Sequence, residues 1–508
     1  MNLITRILSV LLLFFVSFTS FSQIQPKREF RGAWMHVVGE SKQYKDMTTT
    51  EIKQYLTEAL DQLEALNINA VIFQVRPAAD ALYYSDFEPW SRYLTGRQGT
   101  APSPYFDPMY FMIEECHKRN MEFHAWLNPY RVTLGNNDRL HESHIYHQHP
   151  ERFVKYGSQI YFDPGLPENK DYICQIVKDI IVRYNVDAIH MDDYFYPYPI
   201  AGEKFPDDDS FYKYAFSQGF SYNQRDDWRR NNVNTLVRQI KETIVENRPW
   251  IRFGISPFGI YRNKKDTPDG SGSDTKGLQN YSELYADVKL WVKNGWIDYN
   301  IPQIYWEIGH AAADYETLIG WWSINNYGSH LYIGQDVVRT MKAPDLQNPN
   351  RNQLTRKMEL ERTQPAVYGN CFWPGYELLK NYKGAADSLK YNYQRYPALI
   401  PAYLHMHKKA PKDVKSLKAK WTADGYKLSW KRNGDIYNPK TAQYFVIYKF
   451  GAKEKVNLDD PSRIVKITRD TEFLLPYQDG KTEYKYIVTS VDRYHNETKK
   501  GKNKKVKL

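Results

Sequence analysis

Between Phe30 and Tyr396, short apolar runs of period two alternate with longer runs whose apolar residues recur every three to four positions. That alternation is the signature of a parallel sheet whose strands are joined by helices. Strands are predicted at 30–38, 69–77, 121–128, 187–193, 251–258, 297–306, 329–336 and 366–373. Helical patterns occupy 48–67, 107–119, 168–185, 228–248, 283–295, 314–326, 351–364 and 385–396. Eight strand-then-helix units predict an α/β fold of the (β/α)8 TIM-barrel type. The first helix is the clearest. Thr48-Thr49-Thr50-Glu51 reads as a capping box, and Ile52, Tyr55, Leu56, Ala59, Leu60, Leu63 and Leu66 form one apolar stripe. After Pro401 the helical period disappears. Segments 426–430, 444–450, 463–468 and 484–491 predict a small all-β sandwich of fibronectin type III-like character. The expected division is a targeting segment at 1–22, a barrel at 23–405 and the sandwich at 406–508.

The period of two also predicts which side chains face the barrel axis. In 122–128, Phe123, Ala125 and Leu127 suit the helix-facing side, so His124, Trp126 and Asn128 point inward. Ile189 and Met191 place His190 and Asp192 on the axis, with Asp193 opening the next loop. Val71, Phe73 and Val75 do the same for Gln74 and Arg76. Gln303, Tyr305 and Glu307 share one parity, the first strand offers Trp34 and His36, and the last offers Trp373. Barrel interiors are normally filled by branched apolar residues, so polar inward groups near strand C-termini mark a site.

Glycosidic bond cleavage usually needs two carboxyl groups, one to protonate the leaving oxygen and one as nucleophile or base. Asp192 is the first candidate, as nucleophile or base, and Asp193, Glu307 and Asp80, which follows the second strand, are candidates for the acid that partners it. Arg76 could bind a substrate carboxylate through its planar fork. Tyr130, Tyr194, Tyr196, Tyr305, Trp306 and Trp126 could stack on sugar faces, a use that competes with core packing. The run His141, His144, His147, His149 has no metal-ligand spacing, and Asp207-Asp208-Asp209 lacks further ligands, so neither metal nor cofactor is expected. No glycine-rich phosphate loop or G-x-S-x-G elbow is present, which argues against nucleotide and serine-hydrolase chemistry.

Met1 to Ser22 reads as a signal peptide: Arg6, an apolar stretch from Ile7 to Phe18, and a small-residue cleavage site. A periplasmic or secreted protein is therefore expected. The three cysteines, Cys116, Cys174 and Cys371, form neither a disulfide framework nor a zinc pattern. Of the net charge of +10, the part after His407 carries 25 basic against 12 acidic residues, so the excess lies in the sandwich. Such a module suits an anionic wall polymer or membrane surface, or is a solvated face with a frayed tail at 499–508. A monomer without nucleic-acid partners is expected.

Several segments resemble the glycosyl-hydrolase-like 10 proteins: Phe30-Arg31-Gly32-Ala33-Trp34, Phe73-Gln74-Val75-Arg76-Pro77, Glu88-Pro89-Trp90-Ser91, and His124-Ala125-Trp126-Leu127-Asn128-Pro129-Tyr130-Arg131. Ile189-His190-Met191-Asp192-Asp193-Tyr194, Phe253-Gly254-Ile255-Ser256-Pro257-Phe258-Gly259 and Pro302-Gln303-Ile304-Tyr305-Trp306 continue the likeness in order. The resemblance implies a barrel that hydrolyses polysaccharide, for characterised relatives peptidoglycan strands stripped of their peptides. It maps a paired aspartate onto Asp192 and Asp193 and assigns no carboxylate to Glu307. Two rival functions share these features: a non-catalytic glycan-binding protein on a degenerate barrel, and a hydrolase of another extracellular polysaccharide.

Overall fold

The computed structural model describes residues 25–39, 42–136 and 138–508. The targeting segment lies outside the described residues. Among them, no helix is long and apolar enough to cross a membrane.

Eight parallel strands close into a barrel in sequence order. They are β1 (Phe30–Met35), β2 (Ala70–Arg76), β3 (Glu122–Leu127), β4 (Ala188–Met191), β5 (Arg252–Ile255), β6 (Tyr299–Asn300), β7 (His330–Asp336) and β8 (Val367–Trp373). Helix α1 (Thr49–Ala65) starts from the expected capping box at Thr48 and Glu51 and buries Ile52, Leu56, Ala59, Leu60 and Leu63. The principal helices that follow are Pro108–Lys118, Pro167–Arg183, Arg225–Asn247, Val288–Lys293, Tyr315–Ile324 and Leu354–Thr363.

Side-chain parity divides the packing in two. Val71, Phe73, Val75, Phe123, Ala125, Leu127, Ile189 and Met191 belong to the cluster shared with the helices. Phe30, Trp34, Ala70, Ile72, Trp126, Ala188, Tyr299 and Tyr332 form a separate cluster inside the barrel. Register carries this across the sheet: Gln74 pairs with Trp126, Trp126 with His190, His190 with Gly254, and Gly254 with Tyr299. Gly254 has a steric reason. A Cβ there would stand 2.0 Å from the Tyr299 ring, which crosses the axis at that level.

Several elements differ from the sequence reading. Strand β6 is two residues long, because Pro302 has no N–H to extend the ladder. The chain keeps its course nonetheless, with Gln303 bridging to Phe258 and Gly334. The helix expected at 385–396 is a turn, Ala385–Ser388, followed by the wider coil Leu389–Tyr393. A hairpin, Phe153–Tyr156 with Gln159–Phe162, stands in the long loop after β3.

The C-terminal part holds two antiparallel sheets, built from β9 (Lys415–Thr422), β10 (Gly425–Lys431), β11 (Tyr444–Gly451), β12 (Ile464–Thr468), β13 (Glu472–Leu474), β14 (Glu483–Val491) and β15 (Lys502–Lys507). One has the order β9-β10-β13 and the other β12-β11-β14-β15. The lysine-rich end is thus a paired strand and not a frayed tail. Its charged side chains face water, while Val506 and Leu508 enter the module's core.

This module seats on the N-terminal end of the barrel, opposite the mouth. His495 Nε2 meets Glu122 Oε1, at the start of β3, at 2.6 Å. Arg493 donates to Asn185 at 2.6 Å, and Lys466 reaches Glu64 at 3.2 Å. The connecting segment closes the floor. Ile400 and Tyr403 pack into the inner cluster, and Leu399 joins Val446, Tyr448, Ile487 and Val491 of the module in a further cluster, separate from the module's core.

Candidate active site

The C-terminal ends of β3, β4, β5 and the segment after β6 converge on two carboxyl groups. Asp192 continues the inward parity of β4 and is almost wholly buried. Trp126 donates its indole N–H to Asp192 Oδ2 at 3.1 Å, Asn128 Nδ2 lies 3.3 Å from Oδ1, and the Tyr194 backbone N–H donates at 3.2 Å. Asp193, equally buried, accepts from the phenol of Tyr198 and from Gln303 Nε2 at 3.1 Å. The Gln303 amide also donates to the carbonyl of Ser256 at 2.8 Å, tying β5 to the pair.

All of these direct donors are neutral, so both carboxyl groups lie in a site that disfavours charge. Burial, then the adjacent Asp193, pushes the Asp192 carboxyl up to about 7. Burial raises Asp193 as well, against its bonds to Tyr198 and Gln303. Arg131 is the cation whose field opposes this at both groups, and its guanidinium stacks 5.1 Å from the Tyr194 ring. Two neighbouring carboxyls in a low-dielectric site ionise in separate steps, so the pair holds a proton near neutrality.

Around the pair, His190 forms the floor. Its Nε2 lies 3.3 Å from the Trp34 indole nitrogen and 3.0 Å from Ser256 Oγ. Burial keeps this imidazole neutral. Trp373 meets Trp126 edge-on at 6.2 Å and packs on His36 at 4.5 Å. Half-buried Tyr305 and Trp306, with the more exposed Tyr194, leave aromatic surface at the mouth.

This arrangement has counterparts. The family described as Glycosyl hydrolase-like 10 matches residues 29–351, more than half of the chain. The chain belongs to the glycosyl hydrolase-like 10 family. It is similar to glycosyl hydrolase YngK of Bacillus subtilis (strain 168), 40% identical over 497 residues and covering 96% of both chains. It is also similar to glycosyl hydrolase DigH of Escherichia coli (strain K12), 36% identical over 338 residues, 63% of this chain and 75% of that protein. Among solved structures, the PgaB (BpsB) glycoside hydrolase domain from Bordetella bronchiseptica shares 11% identity with a TM-score of 0.48. That match covers 72% of this chain and 99% of the other.

Within this family barrel, Trp126 and Asn128 on Asp192, and Trp34, His190 and Gln303 through Ser256 to Asp193, form two hydrogen-bonded sets joined by the Asp192–Asp193 peptide. Other expected site residues do not join it. Arg76 is only 1% exposed and gives Nε and Nη2 to Glu88 at 2.8 and 2.6 Å, its remaining reach going to the carbonyls of Asn128 and Pro129. It cannot receive a substrate carboxylate. The irregular register between Gln74 and Arg76 turns it out of the inward row. Gln74 accepts from the backbone of Val37, holding the loop after β1. His124 is enclosed below the floor between Glu122 and Tyr299. Tyr130 is buried in the helix-facing cluster. Asp80 is enclosed beside Gln98, where burial raises it to about 6. Glu307 lies in the turn after Trp306, and its charge acts on the buried ammonium of Lys357.

Three contributors escaped the sequence reading as site residues: Ser256, Tyr198 and Arg131. Parity along β5 would have found Ser256, two residues beyond inward Gly254. Tyr198 sits in an irregular loop and has no periodic signal.

The pH dependence follows from the pair. Asp192 keeps its proton below about pH 7 and loses it above, while Asp193 must be ionised to act as base. A bell-shaped kcat profile is expected, falling on the alkaline side near pH 7 and on the acid side as Asp193 protonates. Initial rates across about pH 4 to 9 check this, and a flat profile would contradict it.

Proposed function

We propose that this glycoside hydrolase cleaves an N-acetylated glycan outside the cytoplasm, namely peptide-free peptidoglycan strands, with Asp192 as acid and Asp193 as its partner. The observation that carries the reading is a pair of adjacent, buried aspartates at the strand C-termini, each held by neutral donors only. Asp192 protonates the departing glycosidic oxygen. Consecutive residues at one strand end reach the bond from one side, which suits a reaction whose nucleophile comes from the substrate itself. The acetamide oxygen attacks the anomeric carbon while Asp193 holds the acetamide N–H. Water then opens the cyclic intermediate, returning its proton to Asp192. The exposed rings at the mouth serve as sugar platforms. The likeness to named glycosyl hydrolases supports the class of reaction.

Export rests on the sequence of Met1 to Ser22, and a monomer suffices for the site. We read the C-terminal sheets as fibronectin type III-like. Their position at the barrel floor means any wall-polymer or membrane contact they make lies away from the mouth.

The test incubates purified protein with peptide-free glycan strands and with a de-N-acetylated control. Products are followed by mass, and anomeric configuration by NMR. Cleavage with retained configuration, lost on the control, is expected. Intact strands would remove the substrate assignment, and cleavage of both polymers would remove the acetamide step.

A further inference from the structure

A hydrogen-bond chain runs along the barrel axis from the C-terminal module to the floor of the active site. His495 Nε2 meets Glu122 Oε1 at 2.6 Å, where Arg252 also donates. The other oxygen, Oε2, meets His124 Nε2 at 3.0 Å. His124 Nδ1 lies 2.8 Å from the Tyr299 hydroxyl, which lies 3.2 Å from His190 Nδ1. His190 Nε2 then faces Ser256 Oγ and the Trp34 indole.

Two ends favour the same direction for this chain. An indole N–H only donates, so His190 Nε2 accepts and its proton is on Nδ1. That proton goes to the Tyr299 oxygen, whose own O–H therefore donates to His124 Nδ1. His124 must then carry its proton on Nε2, where an ionised carboxylate accepts it. The arginine and histidine neighbours of Glu122 hold that carboxylate well below its usual range, so the far end demands the same polarity. Followed onward, the Ser256 hydroxyl shares the Nε2 lone pair with the Trp34 indole N–H, and the Ser256 oxygen is left to accept.

The delivery of His495 is itself built. It sits at φ 63°, a left-handed conformation that a non-glycine residue adopts at a cost in strain. In the same turn, Asp492 accepts from the backbone N–H groups of Tyr494 and Asn496, which flank His495. Arg28 holds the His495 carbonyl at 2.9 Å, and Tyr444 stacks on its ring at 5.6 Å.

We propose that the C-terminal module acts on the active site through this chain: His495, with Arg252, fixes Glu122 as the acceptor that sets the tautomers of His124 and His190 and leaves Ser256 an acceptor for the substrate. His495 and Glu122 are positioning residues, since neither reaches the mouth. The tautomer claim stands apart from the substrate assigned above, whereas its effect on rate rests on that reading.

The experiment uses full-length protein labelled with ¹⁵N-histidine. Long-range ¹H–¹⁵N spectra give the tautomer of His190, identified by its absence in His190→Gln. Wild type is expected to show pyrrole-type Nδ1 and pyridine-type Nε2. Glu122→Gln, which can donate as well as accept, is expected to mix in the opposite tautomer. On glycan strands it should lower kcat about tenfold with KM little changed, and His495→Ala should lower kcat in the same sense. His495→Gln, which restores a donor at similar reach, should recover most of that loss. A protonated Nε2 on His190 in wild type would overturn the proposal, whether or not the strands are cleaved. So would an unchanged tautomer in Glu122→Gln, or a His495→Ala effect confined to thermal stability.

Discussion

Asp192→Asn is expected to lower kcat about 10²- to 10⁴-fold, the range for a positioned acid, while making the folded protein more stable at neutral pH. The two effects share one cause. The folded state holds the Asp192 carboxyl at about 7, against an ordinary 3.8. Between those values the folded chain binds a proton that the unfolded chain has released, so this group's contribution to stability falls as pH rises. That difference corresponds to at most about 4 kcal/mol. Asparagine carries no charge to bury and can still accept from Trp126. The stability gap between variant and wild type should therefore widen from about pH 4 to about pH 8, as read by urea denaturation. Hydrolysis by Asp192→Asn within tenfold of wild type would remove Asp192 from the chemistry.

Glu88→Ala is expected to cost about 3–5 kcal/mol, because it strands the Arg76 guanidinium in the protein interior. Both side chains are 1% exposed, and the two bonds between them are 2.6 and 2.8 Å. Removing one member leaves the other charge without water or a counter-charge. Replacing both by methionine should recover much of the loss, since apolar side chains of similar volume need no compensation there. Chemical denaturation distinguishes this from the role the sequence suggests for Arg76. An arginine that grips substrate would raise KM on truncation and leave the unfolding midpoint in place.

The contrast between Asp192 and Arg76 shows what the sequence carries. Both lie at odd steps from apolar residues in a strand, and parity alone treats them alike. Asp192 keeps its place because β3 and β4 run in unbroken register from His124 and Ala188 to Leu127 and Met191. Arg76 loses its place because the register with β3 slips after Gln74, and the loop carrying Glu88 captures it. That capture depends on a residue twelve positions away whose position no local period encodes. The strands themselves were legible because outward valines, phenylalanines and isoleucines mark one face throughout. The last strand was not, since only Val506 and Leu508 among its lysines face inward. His495 belonged to a different part of the chain altogether, and nothing in its neighbourhood announces that it ends against Glu122.

The floor of the barrel also constrains what can be exchanged between proteins of this kind. Glu122 and Arg252 come from the barrel, His495 from the module, and Ile400 and Tyr403 from the segment between them. Cutting after that segment, or grafting a foreign module there, would leave an acidic group beneath the catalytic pair short of one of its proton donors. Barrel and module therefore have to be inherited, or engineered, as a matched set.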